Sequence, residues 1–162
     1  MATRSHTYQI DVPEPPEIVF ALLHTPSAIR QWWSAARAIV LPQVDGLWAA
    51  AWGADEDRPE YVSTFRISEF DPPRRMVLTD SQYSSKDGPL PFEAEFVVEF
   101  TVEPRLGGGS RLRVRHDGFP LDSAADTFYA GCEVGWQNTF AGIERFLAER
   151  RAATSPELRP SR

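Results

Sequence analysis

Residues 93–119 read EAEFVVEFTVEPRLGGGSRLRVRHDGF, two runs in which apolar and charged residues alternate on either side of a glycine-rich turn. Alternation with a period of two is typical of a strand with one face in the core and the other in water. The segment therefore predicts an antiparallel hairpin that sets Arg opposite Glu on its outer face. Such exposed pairs contribute at most about 1 kcal/mol each, so we interpret this face as solvated and as fixing register rather than as a binding surface. The residues predicted to point inward are Phe96, Val98, Phe100, Val102, Leu112, Val114 and His116.

The chain after the hairpin predicts one long helix from Ser123 to about Arg151. Ser123 and Asp126 have the spacing of a capping box, which satisfies free amide groups at a helix start. Apolar residues then recur every three or four positions, as in a helix that packs one face against a sheet. Cys132 belongs to this stripe, which predicts an unreactive core thiol. The stripe consists of Phe128, Cys132, Trp136, Phe140, Ile143 and Leu147.

The residues before the hairpin predict a strand over 6–12, two short helices that start at prolines, and four further strands. Because no helix-length segment separates the later strands, they predict an antiparallel meander rather than parallel units. The fold class is therefore α+β, a curved antiparallel sheet of six or seven strands around the long helix. We expect a single domain over 1–152 and a disordered tail over 153–162. The four further strands are predicted at Ala38–Leu41, Leu47–Trp52, Tyr61–Phe70 and Arg75–Tyr83.

Composition argues against several classes of protein. A formal net charge of −6 argues against a nucleic-acid surface, which needs clustered Lys and Arg. One cysteine and three scattered histidines offer no internal disulfide and no metal-ligand spacing, and no phosphate-binding loop occurs, so we expect neither a metal nor a cofactor. The polar N-terminus lacks the apolar stretch of a signal peptide, and no apolar run is long enough for membrane insertion. We therefore expect a cytoplasmic protein.

Several short motifs, taken with the order of the elements, resemble a known family. The order of one strand, two short helices, antiparallel strands and one long C-terminal helix resembles the START-like, or helix-grip, superfamily. The motifs are similar to the branch named for activators of the ATPase of heat-shock protein 90, over roughly residues 5–150. The resemblance implies a deep cavity between sheet and long helix, which the superfamily uses to bind lipids, hormones and polyketides. The motifs are Trp32-Trp33, Gly46-Leu47-Trp48, Phe70-Asp71-Pro72-Pro73 with Met76-Val77-Leu78-Thr79, His116-Asp117-Gly118-Phe119 and Gly135-Trp136.

Two titratable side chains are predicted to reach this cavity. Strict alternation places Asp80 on the same face as Leu78, where a carboxylate needs a partner or its pKa rises. The alternative is that Asp80 lies in water at the strand end. His116 lies two residues after Val114 in the predicted strand, so both side chains point inward. The alternative is a core histidine whose ring is hydrogen-bonded to a backbone carbonyl. The residues predicted to contact a ligand are Trp33, Tyr61, Phe65, Leu78, Asp80, Phe96, Val98, Val114, His116 and Trp136.

Three functions are compatible with this sequence. The leading hypothesis is a non-enzymatic binder of a small hydrophobic or aromatic ligand, oriented by Tyr61, Asp80 or His116. The second is an enzyme of the polyketide-cyclase or hydrolase kind, with Asp80 and His116 as candidate catalytic residues that move protons. The third, taken from the name of the family that the chain resembles, is a stress-related co-chaperone or regulator with a chaperone partner. An exposed edge strand also offers a route to a homodimer.

Overall fold

The computed structural model describes residues 2–154, and its elements follow the predicted order. Two short helices come after the first strand, further strands follow, and a 3₁₀ turn at Ser123–Ala125 leads into the long helix. Proline occupies the start of both short helices, where its fixed φ suits the first turn. The strands are β1 Thr3–Val12, β2 Arg37–Val40, β3 Leu47–Trp52, β4 Tyr61–Asp71, β5 Arg75–Ser85, β6 Val97–Pro104 and β7 Ser110–Pro120, and the helices are α1 Pro16–His24, α2 Pro26–Trp32 and α3 Asp126–Thr154.

The strands form one seven-stranded antiparallel sheet in the order β1-β7-β6-β5-β4-β3-β2. Because β1 and β2 are the two edges, α1 and α2 connect opposite sides of the sheet. α3 packs against β1 and α2, and residues of all three helices share one apolar core with the sheet. The predicted α+β helix-grip architecture is confirmed. Over residues 2–154, no helix combines the length and the apolar character that a bilayer crossing requires.

The hairpin of β6 and β7 has the predicted register, although one of its outer arginines pairs with a different strand. Glu103 lies opposite Arg111 as predicted. The Arg111 guanidinium instead forms an ion pair with Asp11 of β1, with 2.9 Å between Nε and Oδ1. β1 is the other neighbour of β7, and Asp11 is also directly opposite Arg111. The arginine therefore helps to join β1 to β7, in an exposed pair that solvent and salt screen.

The start of β6 differs from the prediction. The ladder begins at Val97, opposite Asp117, rather than at Glu93. The next residue of β7, Gly118, has a φ of +100°, and a Cβ at this position would lie 2.1 Å from the Glu95 carbonyl oxygen. The two segments therefore cross in close contact at a glycine instead of continuing the ladder.

Both ends of α3 also differ from the prediction. α3 begins at Asp126 rather than Ser123, and the 3₁₀ turn that precedes it is capped by Asp122, whose carboxylate accepts a hydrogen bond from the Ala124 amide at 2.8 Å. The helix continues through Thr154, beyond its predicted end. The remainder of the predicted tail, 155–162, lies outside the described residues.

Gly142 sets the distance at which α3 crosses α2. A Cβ at Gly142 would lie 2.2 Å from the Trp32 carbonyl oxygen, whereas a Cβ at Gly131 would meet nothing within 4 Å. We expect Gly142→Ala to lower the free energy of unfolding by about 1–3 kcal/mol, the usual cost of overpacking. Gly131→Ala should instead raise it by up to about 1 kcal/mol, because alanine is the better helix former. Urea denaturation of both variants measures this contrast, and a stabilised Gly142→Ala protein would contradict it.

Candidate ligand-binding cavity

A cavity of about 640 Å³ lies between one face of the sheet and α3. Its volume falls within the range of roughly 300–1,000 Å³ that is usual for small-molecule sites. Among the described residues, no Asp, Glu, Lys or Arg lines it. The aromatic part of the wall that the sheet supplies consists of Trp52, Tyr61, Phe65, Tyr83, Phe96 and Phe100.

The part of α3 between Phe128 and Trp136, which also line the cavity, leaves the wall open because the other lining residues there are small. Gly131 and Gly135 lie one helical turn apart and both line the cavity. A Cβ added at either position would meet no atom within 4 Å. Cys132 and Thr139 belong to the same wall. The helix therefore passes over the sheet without filling the space between them.

The N-terminal half of α3 is held in place by polar contacts with β1. His6 Nε2 donates to the Tyr129 carbonyl at 2.6 Å, and the Tyr129 hydroxyl donates to the Ser5 carbonyl at 2.9 Å. The His6 and Tyr129 rings stack with 3.8 Å between centroids, and the Arg4 guanidinium lies 4.2 Å above the Tyr129 ring. Arg4 also pairs with Asp126 at the start of the helix. These contacts fix one side of the helix without placing a side chain in the cavity.

The five tryptophans form one cluster centred on Trp33. The Trp33 ring stacks on Trp32 with 5.1 Å between centroids, and three further indoles surround it. Trp33, Trp52 and Trp136 line the cavity. Each of the four indoles other than Trp33 donates its N–H group to an acceptor in the protein. Trp32 donates to the Leu22 carbonyl, Trp48 to the Leu23 carbonyl, Trp52 to the Trp33 carbonyl and Trp136 to His116 Nδ1.

The hydrogen bond with Trp136 fixes the tautomer of His116. An indole N–H can only donate, so His116 Nδ1 accepts at 3.0 Å and the ring hydrogen of the neutral imidazole sits on Nε2. No described residue accepts from the buried Nε2, and the Phe96 and Phe119 rings pack against the imidazole. Burial, assisted by the nearby His6, lowers the pKa of His116 to about 3. The imidazole is therefore neutral near pH 7, and its single lone pair is already in use.

All but two of the predicted ligand-contacting residues line the cavity. Val114 does not, because it is fully buried in the core with an exposed fraction of 0%. It lies between Tyr8 of β1 and Phe100 of β6, where Phe140 of α3 packs onto Tyr8 and closes the space. The predicted residues that line the cavity are Trp33, Tyr61, Phe65, Leu78, Phe96, Val98, His116 and Trp136.

The prediction that Asp80 faces the cavity is wrong because β5 contains a bulge. Thr64 pairs with Gln82 but Arg66 pairs with Thr79, so β5 has one more residue than β4 at this point. Asp80 has a φ of +51°, in the left-handed region, and its side chain is 68% exposed. Its carboxylate lies 2.7 Å from Arg66 Nε on the outer side. A one-residue bulge reverses the alternation that the prediction assumed.

The same bulge brings residues to the cavity that the sequence pattern did not indicate. Ser81 and Tyr83 line the wall beyond Asp80. The Tyr83 ring stacks on Tyr61 with 6.4 Å between centroids and meets Phe128 of α3 edge-on at 5.7 Å. The only local signal for the bulge is an aspartate, which tolerates the left-handed region better than most residues.

The candidate acid–base pair is not assembled. Asp80 lies outside with Arg66, whereas His116 is a buried residue of the cavity wall. Cys132 lines the cavity instead of filling the core, and burial raises the pKa of its thiol to about 12, so the thiolate is scarce near pH 7. Within residues 2–154, no cluster of three or more His, Cys, Asp or Glu is arranged to hold a metal ion.

One family model matches the chain, and solved structures share its fold. The family model described as "Activator of Hsp90 ATPase homolog 1-like protein" matches residues 13–148. MLL2253 from Mesorhizobium loti superimposes with a TM-score of 0.71 at 22% identity, covering 90% of this chain and 98% of that one. PFC0360w, an HSP90 activator from Plasmodium falciparum, gives 0.67 at 17% identity, covering 89% and 96%. DynU16, from the dynemicin biosynthetic locus, gives 0.67 at 15% identity, covering 89% and 47%. No curated protein matches the chain.

Proposed function

The chain belongs to the family of Activator of Hsp90 ATPase homolog 1-like proteins, and we propose that it binds a small, uncharged aromatic molecule in the cavity beneath α3. One observation carries the proposal, the 640 Å³ cavity with aromatic walls and no charged residue lining it in the described part of the chain. Protein interiors are close-packed and contain few voids larger than a water molecule. A cavity of this size therefore supports a role that uses the space.

The chemistry of the wall supports an uncharged ligand. Moving an ion from water into an apolar site costs several kcal/mol unless a partner in the site compensates the lost hydration. The polar groups that border the cavity are neutral, because they are hydroxyls, an amide, a thiol with a raised pKa and a histidine with a lowered pKa. Aromatic walls further favour a flat aromatic molecule, since each ring pair adds about 0.5–1.5 kcal/mol beyond the area that it buries.

Two fluorescent probes test this proposal. N-phenyl-1-naphthylamine and 8-anilinonaphthalene-1-sulfonate share one ring system and differ by a sulfonate. We expect the neutral probe to saturate at one molecule per chain and to bind at least about tenfold more tightly than the sulfonate, because the site offers no partner for the charge. Fluorescence titration measures both affinities. A repeat in about 1 M salt, where the Debye length is roughly 3 Å, removes the long-range effect of the net charge of −6.

Two results would count against the proposal. If the neutral probe does not bind saturably, the proposal that the cavity binds a small molecule is wrong. Equal or tighter binding of the sulfonate in high salt would remove the restriction to uncharged ligands. In the first case the co-chaperone hypothesis becomes the leading one. A pull-down with the full chain as bait then tests it for retention of a chaperone partner.

A further inference from the structure

The cavity contains one indole donor that the protein itself does not use. Trp52 and Trp136 line the cavity, and their N–H groups donate at 3.0 Å to the Trp33 carbonyl and to His116 Nδ1. Trp33 lines the same cavity, yet over residues 2–154 its indole N–H has no acceptor and is not among the buried groups that lack one. The nitrogen is therefore exposed to solvent, and no described residue uses its N–H.

Trp33 is also held firmly in place. Its amide donates to the Ile29 carbonyl at 3.0 Å, which caps the end of α2, and its carbonyl accepts from Trp52. The ring is stacked on Trp32 and meets Trp136 at 5.5 Å. A donor that is already ordered loses little conformational freedom when a ligand binds, so its hydrogen bond contributes fully to affinity.

The other ring N–H group at the cavity that has no acceptor is blocked. His116 Nε2–H also has no acceptor among the described residues, but the nitrogen is buried and the Phe96 and Phe119 rings pack against the imidazole. A ligand oxygen reaches it only if these rings move. Trp33 requires no such movement, and unlike the hydroxyls and the amide that also border the cavity an indole can only donate, so it selects for an acceptor on the ligand.

We infer that the Trp33 indole N–H orients the ligand by donating to an acceptor oxygen, so that the ligand is a neutral aromatic molecule carrying a carbonyl or similar group. This inference rests on the proposed function. It adds to that function a position for the polar atom of the ligand and a requirement for an acceptor. A molecule with only donor groups gains nothing from an N–H group.

A matched pair of ligands tests the inference. 2-Acetylnaphthalene and 2-isopropenylnaphthalene have nearly the same shape, but only the ketone carries an acceptor. Displacement of N-phenyl-1-naphthylamine gives both affinities for the wild type, for Trp33→Phe and for Trp52→Phe. We expect Trp33→Phe to weaken binding of the ketone about three- to tenfold more than binding of the hydrocarbon, the contribution of one hydrogen bond. Trp52→Phe, whose indole is already bonded, should weaken both ligands equally.

The possible outcomes separate the two proposals. Binding of the hydrocarbon to the wild type depends only on the cavity, so its absence would sink the proposed function and this inference with it. Equal losses for both ligands in Trp33→Phe would overturn the role of Trp33 and leave the cavity proposal standing. If Trp33→Phe does not fold, nuclear magnetic resonance of the wild type decides. The indole proton that exchanges fastest with water should move downfield with the ketone and not with the hydrocarbon, and no selective shift would overturn the inference.

Discussion

Gly135→Leu is expected to weaken binding of N-phenyl-1-naphthylamine about 10- to 100-fold, because the new side chain occupies the space of the ligand. Gly135 lines the cavity, and a Cβ at this position meets no atom within 4 Å, so the leucine has room to extend inward. The same change should raise helix stability by up to about 1 kcal/mol, since glycine is a poor helix former. Loss of binding together with retained or raised stability distinguishes a filled cavity from a damaged fold. Fluorescence titration and urea denaturation measure the two effects.

A matched substitution on the same helix controls for the added apolar surface. Ala130 is exposed and does not line the cavity. Ala130→Leu should therefore leave the affinity of the probe unchanged. If Gly135→Leu binds the probe as tightly as the wild type, the probe binds elsewhere and the cavity is not the site.

The fold could be predicted from the sequence because the burial of apolar side chains leaves repeated patterns along strands and helices. The alternation in 93–119 and the apolar stripe of the last helix each extend over many residues, so errors at single positions do not change the result. Register followed as well, since Glu103 lies opposite Arg111 as predicted. Boundaries were less predictable where one residue determines them, as at Asp122, whose carboxylate caps the 3₁₀ turn before α3 in place of the predicted cap at Ser123.

The candidate site was harder to predict because it depends on departures from the patterns. The bulge at Asp80 shifts the alternation by one residue and exchanges Asp80 for Ser81 and Tyr83 in the wall. Periodicity also identifies the side chains that point inward, but it does not show whether packed side chains fill the space in front of them. Val114 points to the same side of the sheet as His116, yet it is fully buried and does not line the cavity. The free donor of Trp33 is visible only after the acceptors of the other indoles are known.

The stability of the protein is expected to fall by about 2 kcal/mol between pH 6.5 and pH 5 through His116 alone. Burial lowers the pKa of this histidine from 6.5 to about 3, so in this range the unfolded chain binds a proton that the folded chain does not. The free energy of unfolding therefore decreases with a slope that approaches about 1.4 kcal/mol per pH unit as the pH falls below 6.5, and it is fully retained only well above pH 6.5, where the unfolded histidine is also neutral. Protonation of Nδ1 would also break the hydrogen bond from Trp136, which further disfavours the charged imidazole in the folded protein.

His116→Gln isolates this contribution, because its side-chain oxygen can still accept from the Trp136 indole. Burial also lowers the pKa of His24, which adds to the same trend in both proteins and cancels in the comparison. Between pH 5 and pH 6.5 most unfolded-state carboxyls remain ionised, since their ordinary pKa values lie near 4. Urea denaturation at several pH values should therefore give a wild type that loses about 2 kcal/mol more than the variant over this window. Equal slopes would mean that His116 takes up a proton in the folded protein near its ordinary pKa, and that the cavity wall carries a positive charge at pH 5. In that case the sulfonate probe should bind more tightly as the pH falls.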